Sequence, residues 1–438
     1  MSIESAELAG LVEPDRVHRR LYVDPEIFER ELDSIFGRAW LCVGHESQVP
    51  APGDYVTTQL ARQPVIMVRH GDGSIRVLHN RCSHHGSMLA GDRAGHVNSV
   101  FTCMYHGWSF RTDGALAGVP VPEDYAGTGF DLRDPRNGLG RVARVENYRG
   151  FVFASLAPEG PDFEEFAGGA LAGFDNMIDR APDGVEVAGD CFRVIQHSNW
   201  KIFLENMFDN VHPRVVHQSS ARGAKLAQER FPASAGSHVS LETFRLLALD
   251  QSFMQRLEIE NYPRGHSNMS GFVSPRGQDP ESLAYEAALR ARHGAERAGQ
   301  ILSRNYHHTM LYPSAVLQPS FQQLRIVKPL AVDRTLIEIW LFRLKGAPRI
   351  VFRKALSYAT GANSPANMVS ADDFESYYRV HRGLAGPGSD WVVLSRQMGR
   401  DLVEDGVVRT RVGSSEASQR NQFQAWRDYM LDGEGAAR

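Results

Sequence analysis

Two short segments constrain this chain more than any other feature: Cys82-Ser83-His84-His85-Gly86 and Cys103-Met104-Tyr105-His106-Gly107-Trp108. Each offers one thiolate and one imidazole from a loop beside a β-like run, and 18 residues lie between His84 and Cys103. The composition points the same way. Against 17 histidines stand only 4 cysteines in 438 residues, too few for a disulfide framework. Two cysteines and two histidines can make a tetrahedral zinc site. Zinc fingers, however, usually pair Cys with Cys and His with His, whereas each half here is mixed.

The mixed arrangement suits a Rieske [2Fe–2S] centre, in which two thiolates bind one iron and two imidazoles the other. The surrounding sequence reads as a small β domain over residues 38–157. Short β-like runs at Tyr55–Leu60, Pro64–Arg69, Arg76–Leu78, Val100–Thr102 and Trp108–Arg111 are separated by turn signals such as Gly71-Asp72-Gly73 and Asp113-Gly114. Residues 1–37 form a helical segment expected to pack on the catalytic domain, with Asp24 as N-cap and Pro25 in the first turn. Residues 158–438 read as a catalytic domain in which helices surround an antiparallel sheet, so the fold class is α+β. Strands are predicted at Thr309–Val316, Gln322–Val327 and Thr335–Arg343, and helices near Phe203–Asp209, Arg349–Tyr358, Ala371–Arg382 and Asn421–Met430. The stretch 218–300 gives no clear assignment.

A second constellation lies in Glu205-Asn206-Met207-Phe208-Asp209-Asn210-Val211-His212-Pro213-Arg214-Val215-Val216-His217. On an ideal helix a five-residue step rotates a side chain by about 140° net, so His212 and His217 would diverge. Pro213 predicts a kink that swings His217 back. Two histidines plus one carboxylate, with positions left open, form the non-haem Fe(II) oxygenase triad.

Taken together, the two motifs resemble the large (α) subunits of Rieske non-haem iron aromatic-ring-hydroxylating oxygenases. The short Asn206-to-Asp209 spacing is closer to the benzoate- and terephthalate-type branch. The resemblance implies that Cys82 and Cys103 bind one cluster iron, and His84 and His106 the other. His85 stands where Arg or Lys is commoner. It implies His212 and His217 as ligands of a mononuclear iron, with a distant carboxylate at Asp373, in the register set by Arg382-Gly383-Leu384. Asp372 is then a helix N-terminal acid. It further implies that Asp209 bridges His212 of its own subunit and His106 of a neighbour in a trimer. The activity implied is that of a terminal oxygenase that inserts O2 into an aromatic substrate, with a carboxylated one the first expectation, to give a cis-dihydrodiol or diol. A Rieske monooxygenase (ring hydroxylase or O-demethylase) is the alternative. A metal-stabilised binding or electron-transfer protein without oxygenase activity is the alternative of another class.

Several further readings follow. The chain shows no G-x-G-x-x-G fingerprint after a strand, so NAD(P)H is expected to act only through a separate reductase, with a ferredoxin or that reductase as electron donor. A homotrimer is expected, with α3β3 as the form that includes a small β subunit. Asn206, Phe208 and Val211 are candidates for the substrate pocket; helix packing is the competing reading for Phe208, Val211 and their neighbour Met207. Of His307 and His308, adjacent on a strand, at most one can face the pocket. Arg325 is read as surface charge, with a bidentate contact to a substrate carboxylate as the alternative. Basic residues number 48 and acidic ones 52, a formal charge of −4, which argues against a nucleic-acid partner. No apolar run approaches the roughly 20 residues of a membrane span, and no leader pattern opens the chain, so a cytoplasmic protein is expected.

Overall fold

The computed structural model describes residues 4–189, 191–230, 251–272, 280–364 and 368–432. They form two units: Phe36–Phe163, and Met1–Ile35 together with Glu164–Arg438.

In the Phe36–Phe163 unit the short β runs become three small antiparallel sheets. Four strands, in the order Ile75–His79, Gln63–Arg69, Asp54–Leu60 and Ala94–His96, make the largest. Three more make a sheet of Arg144–Tyr148, Phe151–Ser155 and Leu41–His45, and the last consists of Leu116–Gly118, Ser109–Arg111 and Val100–Thr102. The predicted turns form. Gly73 and Gly114 both take positive φ, and the Asp72 carboxylate accepts from the Ser74 N–H at 2.8 Å. Ile66, Val68, Leu78, Phe101, Trp108 and Phe110 pack into one core, and Cys82 and Cys103 are part of it.

In the larger unit a short helix (Ser5–Ala9), a hairpin of Val12–Glu13 and Arg16–His18 and a helical turn (Arg20–Val23) precede helix α1 (Pro25–Glu31), which is capped by the Asp24 carboxylate on the N–H groups of Glu26 and Ile27. Its inner face carries Glu31, fully buried, which accepts hydrogen bonds from Lys201 Nζ and from the indoles of Trp200 and Trp426. Removing one partner of such a buried pair costs about 3–5 kcal/mol, so this cluster ties α1 firmly to its unit. The unit's main sheet has ten antiparallel strands among the described residues, beside a small one of Val12–Glu13, Arg16–His18 and Trp391–Val393. At its middle, Arg334–Leu344, Gln323–Ala331, Ala315–Gln318 and Tyr306–Leu311 lie side by side.

One expectation is corrected here. The run Thr309–Val316 is not a single strand: Tyr306–Leu311 and Ala315–Gln318 pair as a hairpin, with Met310 opposite Val316. Pro313 cannot donate to a ladder, and the chain reverses there. Within the unassigned stretch lie a helix at Gln218–Arg230, strands at Leu257–Asn261 and Ser267–Gly271, and helices at Pro280–His293 and Ala295–Ser303. Residues 231–250 and 273–279 of that stretch lie outside the described residues.

Both faces of the sheet are covered. Helix Leu171–Asp179 packs on Tyr306–Leu311 from one side. Gly173 permits this approach, since a Cβ there would come within 1.9 Å of Thr309 Oγ1. On the other side stand α2 (Trp200–Met207), α3 (His212–Val216) and α4 (Met368–Ala385).

Candidate metal centres and active-site cavity

The two cysteine loops of the smaller unit fold alike. The Gly86 N–H donates to the Cys82 carbonyl at 2.9 Å and the Gly107 N–H to that of Cys103 at 3.0 Å. Gly86 has φ +78° and Gly107 φ +68°, a conformation that glycine adopts without strain. Each loop thereby turns its own N–H groups onto its sulfur: those of His84 and His85 reach Cys82, and those of Tyr105 and His106 reach Cys103. Burial raises both thiols; at Cys82 it prevails, while at Cys103 the N–H groups and Cys82 itself bring the thiol below its ordinary value. The His84 and His106 rings lie 4.7 Å apart by centroid, and His84 stacks on Trp108 at 4.7 Å and 6°. His85, exposed, joins them at 4.2 Å from His84 and 5.0 Å from His106. Two buried sulfurs inside N–H donors, with two imidazoles beside them, fit a [2Fe–2S] cluster of the Rieske kind.

In the larger unit His212, His217 and Asp373 converge, each offering one ligand atom within 4.8 Å of the others. His217 Nε2 is 3.1 Å and His212 Nε2 3.7 Å from Asp373 Oδ1. Donors this far apart can each stand about 2.1 Å from one common ion. Asp373 Oδ1 is buried with no hydrogen-bond partner among the described residues, which a cation would satisfy. Pro213 does its work differently from the expected kink. Helix α2 ends at Met207, and α3 starts afresh at His212 with Pro213 in its first turn, where a missing N–H costs nothing. His212 opens α3 and His217 closes it, so the two rings meet at 5.5 Å. Asp372 lies on the far side of His217, its Oδ2 3.6 Å from Nδ1.

Burial lowers the His212 pKa against the pull of Asp373 and Asp209, whereas at His217 Asp373 and Asp372 outweigh burial and raise it. Asp209 sits in the turn between α2 and α3. Its Oδ1 accepts from the Val211 N–H at 2.6 Å and from Arg396 Nη2 at 3.2 Å. His212 Nδ1 is buried and has no hydrogen-bond partner among the described residues.

Beside the triad lies a cavity of about 120 Å³, comparable with the roughly 150 Å³ that holds one benzene ring. One face of the sheet forms its floor through Val194, Tyr306, His308, Gln318, Arg325 and Ile339. Of the candidate pocket residues Asn206 lines it, as does Met207; Phe208, fully buried, and Val211 do not. His308 faces the cavity and His307 the opposite side; burial brings both pKa values down to about 3. Arg325 requires a correction. It is not a surface charge but 8% exposed, because its strand is central and covered on both faces. The cavity-lining Gln318, Tyr358, Asn363 and Tyr377 carried no sequence signal. Arg325 did: with Lys328 it supplies the charge of a strand-like run that contains no acid.

Residues 39–134 match the family model of the Rieske [2Fe-2S] domain, and residues 186–433 that of the ring hydroxylating alpha subunit (catalytic domain). The chain belongs to the ring-hydroxylating alpha-subunit family. It is 34% identical to toluate 1,2-dioxygenase subunit alpha of Pseudomonas putida over 396 residues, 88% of this chain and 82% of that protein. It is 29% identical to the anthranilate 1,2-dioxygenase large subunit of Acinetobacter baylyi, covering 95% and 90%. A solved structure of naphthalene 1,2-dioxygenase with indole bound in the active site superposes with a TM-score of 0.80 at 26% identity, over 96% of this chain and 94% of that one. The toluate and anthranilate dioxygenases among these relatives match the benzoate-type branch. The chain is therefore a Rieske non-haem iron oxygenase of the dioxygenase type, with a [2Fe–2S] cluster, a mononuclear iron and O2 as co-substrate. As a member of a multicomponent family it works with electron-transfer partners. No helix among the described residues is long and apolar enough to cross a membrane.

Proposed function

We propose that this chain is the terminal oxygenase subunit that adds both atoms of O2 to a monocyclic aromatic carboxylate, giving a cis-diol. The observation that carries this reading is the His212, His217 and Asp373 triad opening onto a cavity of single-ring size. Relatives that act on toluate and anthranilate support an aromatic acid. Residues 38–157 then hold the cluster through Cys82, His84, Cys103 and His106, and residues 158–438, with 1–37 against them, hold the mononuclear iron through the triad. When bound, these centres supply stored electrons and the site of O2 activation. The chain's own residues do the rest. Asp372 faces His217 Nδ1 and orients that ring, as outer carboxylates do for metal-bound histidines. Ile339, Phe321 and Val194 exclude water from the ring.

We read Asp209 as the link between subunits: its carboxylate orients His212 and accepts from His106 of a neighbouring subunit in a homotrimer, with or without a small β subunit. A ferredoxin or reductase delivers the electrons. Turnover of benzoates under labelled O2 tests the function. Two labelled atoms in one diol are expected, and a single labelled hydroxyl would instead establish the monooxygenase reading.

A further inference from the structure

Among the described residues of the larger unit, the buried lysines and the half-buried Arg180 have carboxylate or backbone carbonyl partners, whereas Arg325 does not. Lys201 is paired with Glu31. Arg180 donates to the backbone carbonyls of Ile301 and Arg304. Lys328, three residues beyond Arg325 on the same strand, meets Glu338 Oε2 at 2.9 Å. Arg325 alone faces the cavity, and no carboxylate among the described residues pairs with it. Its Nη1 donates to Met207 Sδ at 2.5 Å and its Nη2 to Asn363 Oδ1 at 3.0 Å, and the guanidinium also meets the Tyr358 hydroxyl, all uncharged, while Nε is buried without a partner among the described residues.

Holding a guanidinium away from water costs several kcal/mol unless an anion compensates. The fold gains no stability from leaving it so, and Arg325 is the one Lys or Arg among the described residues that line the cavity. The register fixes its aim. Arg325 lies opposite Ile339 and Val316 in the ladder, and so shares the sheet face that carries Ile339, Gln318 and His308. Around it stand Tyr306, Tyr358 and His308, the last held neutral by its burial. The carboxylates in the same wall, Asp373 and Asp209, belong to the iron triad and the α2–α3 turn and form no ion pair with it.

We propose that Arg325 is the specificity-determining residue that receives the carboxylate of the substrate, fixing the ring between itself and the triad. A guanidinium presents a planar fork that matches a carboxylate, and an incoming anion would supply the charge the fold withholds. The proposal rests on the reading above, in which the cavity takes an aromatic acid.

The test uses the metal-loaded enzyme with a panel of benzoates and the neutral benzamide, binding measured anaerobically by calorimetry alongside steady-state kinetics. Arg325→Met should weaken benzoate binding about 100-fold, the scale for truncating one side of a buried charge pair, and change benzamide by less than about threefold. KM for benzoate should rise far more than kcat falls. Arg325→Lys, which keeps the charge without the fork, should lose about tenfold and carries the test if the Met variant fails to assemble. Equal losses for acid and amide would show a structural role and overturn the proposal, as would unchanged benzoate affinity in either variant. A wild type that takes benzoates, with variants that take them equally, sinks the anchor alone. A wild type that binds no aromatic acid sinks the anchor together with the reading it rests on.

Discussion

The two histidine-bearing centres are built by opposite strategies. In the Phe36–Phe163 unit each loop is self-contained: a cysteine, a histidine two or three residues on, a glycine of positive φ and a ring of its own N–H groups. In the larger unit no segment is sufficient. His212 and His217 bracket a single short helix, and the carboxylate arrives from α4, more than 150 residues later in the chain. The first centre is specified by local backbone geometry, and the second by the packing of helices on a sheet. Damage should therefore stay local in the first case and spread through side-chain positions in the second.

The largest effect should come from the ligands. His212→Ala should reduce oxygenation by at least about 100-fold, beyond the 10- to 100-fold typical of outer partners, while the visible absorption of the cluster persists. Cys103→Ala should remove that absorption and leave iron at the other centre. If either variant emptied both centres, the two would not be independent. Asp372→Asn comes next. The side chain ligates nothing in this reading, yet it faces His217 Nδ1 at 3.6 Å. A 10- to 100-fold weaker hold on the mononuclear iron is expected, read as faster iron loss to a chelator with cluster content unchanged. Iron retention equal to wild type would deny Asp372 any orienting role.

The same contrast explains what could be read from the chain. The β unit's loops were legible because ligands, turn glycines and strands all fall within one short stretch of sequence. The histidine pair is legible as residue types but not in its geometry: the proline reads as a mid-helix kink, whereas it opens a new helix. Asp373 is reachable only through the register of a family pattern; in the fold its Oδ1 lies beside the Nε2 atoms of His212 and His217, while Asp372 stands at the other ring nitrogen of His217. The substrate cavity was hardly legible at all. Its floor is one face of a sheet whose strands are scattered from Phe192 to Leu344, and periodicity gives no clue to which faces meet. Arg325 looked like surface charge for the same reason, since one strand does not reveal that it is central.

Smaller effects sharpen the comparison further. Gly107→Ala adds a Cβ at positive φ and 2.7 Å from Pro120 Cγ. A cost of about 1–3 kcal/mol is expected, confined to the smaller unit. Denaturation followed by cluster bleaching should shift, and iron retention by the triad should not; a loss of triad iron would mean that the strain is transmitted.

Glu205 offers the most diagnostic case. It lies on α2, half-buried, and burial raises its pKa from 4.5 to about 8, with Tyr22 and Lys201 pulling the other way. The folded chain thus keeps this proton to a higher pH than the unfolded chain does. Its contribution is fully present below about pH 4.5 and is lost as pH rises towards 8, at up to about 1.4 kcal/mol per pH unit. Glu205→Gln, which cannot ionise, should flatten that fall, so that the variant gains on wild type between pH 5 and 8 in denaturant titrations of the larger unit. Parallel profiles would show that Glu205 is already ionised in the fold. The smaller unit's unfolding should be indifferent to the substitution, because no group of its two loops depends on a helix buried in this way.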